Sequence, residues 1–480
     1  MSDKANDPST PSIAHAQLAP MWAMIRAILQ GAKAVKAAGE TYLPKYPAES
    51  DPEYKRRKES APWRPEFEDS IRAISSKSFT DETKLADEPS EEMKSIAEDI
   101  DGRGNNLHVF ARDMFEGGVT LGAHGILIDY PTMQANATLA EEKAAGARPY
   151  WVSVDADEII AIWTERVGAR ERVVHLRLKE TVTVVDGFEE TQVEKIRVLE
   201  PGKWEIWHQV KRTDGTTAWE LEDEGIVTLG EVPFVFFATA ERRGAQYVRP
   251  PLLDLAEMQV ELYRFMSSEE QIYTVAGSPM LTANGMAAPA NGESVETGPG
   301  RVLYAPGGEG LNTSWDYIQP DAQNLKAISE KSQQIIEDMR RLGLQPMLPK
   351  TGNVTATASG VDAAKAHSAV GTWANALKDA LEQAFVFTAM WMKSTEQVSV
   401  SVHTDFQIGQ YGDKEISELR EARANGDLSQ KTYWDELSRR GVLGPSFDAD
   451  QEEKRLMEEI PGDPTPQDQL DALGAPATKV

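Results

Sequence analysis

Residues 250–277 read PPLLDLAEMQVELYRFMSSEEQIYTVAG, and residues 321–346 read DAQNLKAISEKSQQIIEDMRRLGLQP. Pro250 and Pro251 can open a helix, because a first-turn N–H has no partner inside the helix in any case. Leu255, Met258, Leu262, Phe265 and Ile272 then recur at three- and four-residue steps, with Glu269 interrupting; this spacing lines one face of an α-helix. The second stretch repeats it with Leu325, Ile328, Ile335, Met339 and Leu342, and Ser332 is the only polar member. Pro346 and Pro349 stop that helix. Each helix, at roughly 22 residues, would be about 33 Å long. Between them lie Gly277, Gly285, Gly292, Gly298, Gly300, Gly307, Gly308 and Gly310, with short strand runs such as Arg301–Tyr304. Two helices around one glycine-rich insert predict an antiparallel helical hairpin with a small β-tip. The same spacing would also suit two helices of an ordinary globular core.

Upstream, residues 150–240 change character. Runs rich in Val, Ile, Trp and Thr recur at Glu158–Trp163, Arg172–Leu178, Thr181–Val185, Lys195–Leu199, Trp204–Val210 and Thr217–Leu221. Pro201-Gly202 and Asp214-Gly215 sit between runs as hairpin turns, so this part reads as an antiparallel meander. Before it, Met21–Ala38, Phe67–Ser75, Glu91–Ile100 and Leu107–Gly117 read as helices, and Ile126–Tyr130 as a buried strand. Downstream, a long helix is expected from Asp362 to about Met392, a strand run over Ser399–Phe406, and charged helices over Asp413–Glu459. Residues 1–20 and 461–480 read as loose ends with too little apolar surface to offset ordering entropy. The fold class is α+β, and 480 residues suggest about three compact units.

Composition removes whole classes of chemistry. The chain has no cysteine, which excludes disulfides, thiolate metal sites and cysteine nucleophiles. No stretch reaches the ~18 apolar residues of a membrane helix. No basic-then-apolar signal pattern precedes Pro20, so the expected place of action is the cytoplasm or something assembled there. A formal net charge of -27 repels a phosphate backbone and argues against tight groove binding to DNA; solubility is the plain alternative reading. The glycines Gly117, Gly118, Gly122 and Gly125 are followed by no Lys-Ser/Thr and precede a strand, so they predict close helix–strand packing in place of a phosphate loop. His15, His108, His124, His175, His208, His367 and His403 form no metal-type pair. Asp155, Asp157 and Glu158 could hold a divalent cation, but without further ligands a solvated turn is the better account. No nucleophile elbow appears. No catalytic residue, metal or cofactor is expected.

The order of these segments resembles the portal proteins of tailed bacteriophages. The matching stretches are GVTLGAHGILIDYP (residues 118–131), Val232-Pro233-Phe234 followed by PPLLDLA (250–256), SPML (278–281), and Gly426-Asp427-Leu428-Ser429 with Thr432 and Arg439-Arg440-Gly441-Val442-Leu443. The resemblance spans about residues 40–460. It implies a mainly α portal-type fold in which a β-rich wing, a helical-hairpin stem, a small α/β clip and a helical crown follow one another. By position the wing would be 21–249, with a helical part at 21–131 and an antiparallel part at 150–240. The stem helices would be 252–275 and 321–345, packed through the apolar positions named above, and the clip 276–320. A channel loop would occupy 346–361, a long helix returning to the wing 362–412, and the crown 413–460.

The resemblance further implies a dodecameric ring at one capsid vertex of the virion, assembled in the host cytoplasm. Its partners would be the terminase large subunit, capsid protein, head–tail adaptor or tail proteins, and double-stranded DNA passing through transiently. In the channel loop, Lys350 is the only cation and Thr351, Asn353 and Thr355 offer weak phosphate contacts, a composition suited to guiding DNA without anchoring it. In the clip, Glu293, Glu296, Glu309 and Asp316 outnumber Arg301, which suits a basic partner or a repelling rim. Twelve helices packed at 8–10 Å make a ring about 38 Å across between axes. Subtracting one helix thickness of about 10 Å leaves a bore of about 28 Å, wide enough for a hydrated duplex; six copies would be too narrow. Two other readings stay open: a different virion adaptor or scaffold protein, and a cytosolic hydrolase with an unfamiliar site.

Overall fold

The computed structural model describes residues 7–131, 146–212, 215–276, 280–285, 312–318, 322–344, 369–403, 413–439, 442–443 and 447–459. The chain divides into two units, Met1–Phe406 and Gln407–Val480, and the fold is α+β.

The first unit opens with α1 (Ile13–Leu29) and α2 (Ala32–Ala37). Ser12 caps α1 by accepting the His15 N–H, which satisfies one of the unpaired donors of the first turn. Leu18, Trp22, Ile25 and Ile28 are buried along one stripe. The expectation of a loose end through residue 20 is therefore corrected: burial of Leu18 and Trp22 offsets the ordering of the first turns. The single helix expected over Met21–Ala38 is two, because Gly31 at φ +81° takes a backbone conformation no helix continues through. Next come α3 (Asp51–Ser60), α4 (Glu66–Ser78), β1 (Lys84–Leu85), α5 (Glu91–Glu98) and α6 (Leu107–Leu121). Helix α3 arises in a proline-punctuated stretch where no helix is expected. Ser50 and Glu53 form a reciprocal capping box there, with a proline in the first turn.

A three-stranded antiparallel sheet, in the order β3-β2-β9, lies under α6. It consists of β2 (Ala123–Asp129), β3 (Tyr150–Asp155) and β9 (Phe234–Ala238). Ile126 pairs with Ser153 on one side and Val235 on the other. The glycine run does what close packing requires: a Cβ on Gly118 would stand 2.3 Å from Phe237, and one on Gly125 would stand 2.5 Å from Phe234. Between them, β4 (Ile159–Val167), β5 (Arg170–Asp186), β6 (Glu189–Glu200), β7 (Lys203–Lys211) and β8 (Thr217–Ile226) form a five-stranded meander. The runs Arg172–Leu178 and Thr181–Val185 are one continuous strand, and Glu189–Glu194 belongs to its partner.

The helices that follow are α7 (Leu253–Ala276), α8 (Ala322–Leu344) and α9 (Ala369–Trp391), with β10 (Met280–Asn284) and β11 (Ser314–Ile318) between the first two and β12 (Val400–Ser401) last. Trp151 centres the main core, edge-on to Phe110 at 5.5 Å and to Phe385 of α9 at 4.8 Å. Its indole N–H donates to Thr388 at 2.9 Å. Of the strand expected over Ser399–Phe406, Val400–Ser401 form β12, paired with β1, and residues 404–406 lie outside the described ones.

The second unit holds α10 (Asp413–Ala424), α11 (Gln430–Arg439) and α12 (Ala449–Glu459). Gly426, at φ +79°, turns the chain after α10. Trp434 packs edge-on to Phe447 at 5.7 Å. The expected tail 461–480 lies outside the described residues.

Candidate functional site

The helices read from the opening stretches are α7, 24 residues and about 36 Å long, and α8, 23 residues and about 35 Å. They run antiparallel: a Cβ on Gly343, at the end of α8, would stand 3.6 Å from Leu255, at the start of α7. Strand β10 follows α7 and β11 leads into α8. The two strands pair antiparallel from Met280↔Ile318 to Asn284↔Ser314.

Burial along the pair is uneven. From Leu252 to Ser267 the inward face of α7 is closed off, whereas Ile272 and Tyr273 are 38% and 40% exposed. The base is thus sunk among α1, α3 and α4, and toward the outer end the described side chains of Ile272 and Tyr273 are open. Of the expected packing positions, Leu255, Leu262, Ile335 and Met339 are buried, and Met258, Phe265 and Ile328 are half-buried. The side chain of Leu325 lies outside the described ones. Leu342 is corrected: it is 37% exposed while Ile336 is buried. The buried stripe of α8 runs Ser332, Ile335, Ile336, Met339 and Gly343, so the inward position of the last turn falls one residue past Leu342.

Polar contacts fix the base. Gln259 is fully buried. Its Oε1 accepts the Phe67 N–H at 3.1 Å, and its Nε2 donates to the Arg64 carbonyl at 2.7 Å. Phe67 stands in the first turn of α4, which has no side-chain cap of its own, so a residue of α7 does the capping. Arg340 of α8 grips the buried Glu66 of the same α4 with two bonds, at 2.9 and 3.0 Å. Gly343 lets α8 approach α4, since a Cβ there would stand 2.3 Å from the Ser70 hydroxyl. On the other flank, Tyr263 stacks edge-on to Trp63 at 5.7 Å, and the Tyr46 hydroxyl meets Ser268 at 2.7 Å. That flank is held by the buried pair Arg57–Glu49, with both bonds at 2.7 Å. The Arg57 guanidinium keeps the Glu49 carboxyl below its ordinary range.

Among the proposed clip residues, Asp316 is exposed on β11. Its carboxylate accepts from Asn284 at 2.6 Å and Ser314 at 2.7 Å, so it braces its own hairpin. Glu293, Glu296, Arg301 and Glu309 lie outside the described residues, as do Lys350, Thr351, Asn353 and Thr355. The acidic cluster has a protein cation in its midst: Arg26 bonds Asp157 at 2.9 and 2.7 Å and Asp155 at 2.5 Å. Burial pushes the Asp155 carboxyl up, but His124 and Arg26 together hold it well below the usual carboxylate range. Among the described residues, no group of three or more His, Cys, Asp or Glu side chains could hold a metal. None of their helices is long and apolar enough to cross a membrane.

A family model described as a domain of unknown function, DUF4055, matches residues 251–392. That span begins at the foot of α7 and ends just past α9. No curated protein matches the chain. Among solved structures, the neck of a native GTA particle computed with C12 symmetry is similar at 13% identity and a TM-score of 0.39, over 79% of this chain and 90% of that one. The neck of an empty GTA particle computed with C6 symmetry is similar at 12% identity and a TM-score of 0.40, over the same shares. The virion of a native gene transfer agent particle gives 11% and 0.38, over 89% of this chain and 99% of that one. At these scores the fold description rests on the elements above.

Sequence reasoning did not reach Gln259, Glu66, Arg340 or the Gly343–Ser70 approach. The bonded partners are 192 to 274 residues apart in the chain, and no local periodicity encodes such a pairing. The one available signal was a polar residue on the apolar face of α7, at Gln259.

Proposed function

We propose that this chain is the subunit of a phage-type portal, a ring whose stem helices surround a DNA channel at one capsid vertex. The observation that carries this reading is the antiparallel pair α7–α8 with its strand-paired outer end and, toward it, the exposed side chains of Ile272 and Tyr273. A helical hairpin that only filled a core would be covered along its length. Here the sunk base gives each subunit a fixed stem direction, and the open Ile272 and Tyr273 give neighbouring copies a surface to share. The order of segments that resembles portal proteins supports the same assignment.

On this reading α7 and α8 are the stem and β10–β11 belongs to the clip that meets the terminase large subunit and later the adaptor or tail proteins. Residues 346–361, with Lys350, Thr351, Asn353 and Thr355, are the channel loop, and α10–α12 form the crown. Energy for DNA movement comes from the partner motor, and the acidic chain denies DNA the counterion release that would hold it in the bore. Twelve copies of a 52.9 kDa chain have a mass of about 630 kDa and close on a bore of about 28 Å. Light scattering combined with negative-stain microscopy tests this. A ring of that mass with a central hole supports the proposal, and a monomer or a small oligomer without a bore removes it.

A further inference from the structure

Strand β5 runs past its sheet. Its pairing with β4 ends at Leu178, and the pairing of β6 with β7 begins at Lys195. From Thr181↔Glu194 to Asp186↔Glu189 the two strands pair only with each other, a two-stranded ribbon about 20 Å long. Such a ribbon is marginal in water by itself. This one exposes Val182, Val184 and Val185, and it ends on Phe188, whose side chain is wholly in solvent. The Gly187 φ of +63° provides the tight turn that presents Phe188 at the tip. Around it stand Asp186, Glu189 and Glu190, with no Lys or Arg between Thr181 and Glu194.

At the opposite end of β5, beside its turn with β4, is a cleft of about 430 Å³. Val232, Phe236 and Phe387 contribute apolar lining, and Arg170, Arg172 and Arg242 contribute guanidinium groups. The Arg170 and Arg172 side chains are 50% and 41% exposed. Their nearest carboxylate, the mostly covered Glu231, lies 3.8 and 3.7 Å away, beyond hydrogen-bond reach. Glu171 and Asp379 also line the cleft, so the match depends on the exposed guanidinium groups and the apolar lining, not on net charge. Arg242 lies over the Phe236 ring at 4.8 Å.

The geometry points to a head-to-tail contact in which the Phe188 tip of one copy seats in the Arg170–Arg172–Arg242 cleft of the next. An aromatic knob flanked by carboxylates suits a cleft that combines apolar lining with exposed arginine side chains. Knob and cleft lie at the two ends of one strand. From Arg172 to Asp186 the strand spans about 46 Å, so the tip cannot reach the cleft of its own chain. A knob and a distant socket on the same subunit make a heterologous contact, the type that closes into rings under rotation. The contact rests on the ring reading and adds to it a second belt of subunit contacts, separate from α7 and α8.

Because the chain has no cysteine, site-directed cross-linking has no background. In the full-length protein, Phe188→Cys combined with Arg170→Cys is treated with a short bis-maleimide, and light scattering of the untreated sample reports assembly. The expected result is a ladder of covalent multimers from the double variant and none from either single variant. A ring by light scattering without a ladder overturns the contact and leaves the ring reading standing. A monomer overturns both. Dimers from Phe188→Cys alone would show tip-to-tip pairing and also overturn the contact. A second measurement does not depend on cross-linker reach: Glu189→Lys with Glu190→Lys should raise the concentration needed for half-assembly at least tenfold, and adding Arg170→Glu should restore most of the loss. Equal assembly in all variants refutes the contact.

Discussion

Gln259→Met replaces a fully buried amide with a thioether of similar length and leaves the Phe67 N–H without its acceptor. The Arg64 carbonyl, on an exposed residue, can turn to water, so the cost falls on the Phe67 amide. Leaving one buried donor unpaired costs about 1–3 kcal/mol, and the near-isosteric swap keeps the packing contribution below about 1.5 kcal/mol. The first turn of α4 has no other side-chain cap, so the loss should appear there as local opening. At about 1.4 kcal/mol per decade, exchange of the Phe67 amide should speed up roughly 5- to 150-fold. Hydrogen–deuterium exchange read by mass spectrometry on a peptide covering residues 64–72 measures this, with a peptide from α6 as internal reference. Gln259→Glu keeps an acceptor and loses the donor, so it should leave the Phe67 amide protected while its carboxylate repels the Arg64 carbonyl. Unchanged exchange in Gln259→Met, or a rise of equal size in α6, would refute the claim that α7 caps α4.

Gly118→Ala places a Cβ against Phe237 and should cost about 1–3 kcal/mol by overpacking, seen as a lower thermal midpoint in calorimetry. Gly343→Ala should also lower that midpoint, and Ser70→Gly should recover part of the loss, because Ser70 supplies the blocking atoms; no recovery would place the conflict elsewhere. Burial and the neighbouring Asp129 carboxylate push the Tyr150 phenol up to about 12. The folded state therefore holds that proton more tightly than the unfolded chain does. The resulting stability is complete below the ordinary tyrosine range near pH 10 and is lost as pH rises toward 12, so Tyr150→Phe should flatten the fall in thermal midpoint between pH 9 and 11.5. Lys350→Ala should leave ring assembly intact and reduce DNA packaging or retention; loss of assembly would count against the channel-loop assignment.

Legibility in the sequence followed the range of the interaction. The helices α7, α8 and α9 could be read because apolar residues at three- and four-residue steps mark a face within one element. The tight packing around Gly118 and Gly125 could be read because a run of glycines beside a strand has few other uses. The half of β6 from Glu189 to Glu194 could not: EETQVE carries one apolar residue and becomes a strand only because the turn at Gly187 lays it against Thr181–Asp186. The first turns of α1 were not legible for a similar reason, since Leu18 gains its burial from segments far along the chain.

By itself the sequence determined the strongly periodic helices, most strands of the meander, the absence of thiol chemistry and the strongly acidic charge, because these depend on composition and near-neighbour spacing. Only the tertiary structure decided that the base of the helix pair is sunk while Ile272 and Tyr273 toward its outer end are open, that Gln259 caps a helix 192 residues away, and that Leu342 gives up the inward position to Gly343. Those outcomes depend on which surfaces meet across long chain separations. Closing such loops costs entropy that only the assembled contacts offset, and no local pattern records which contacts those will be.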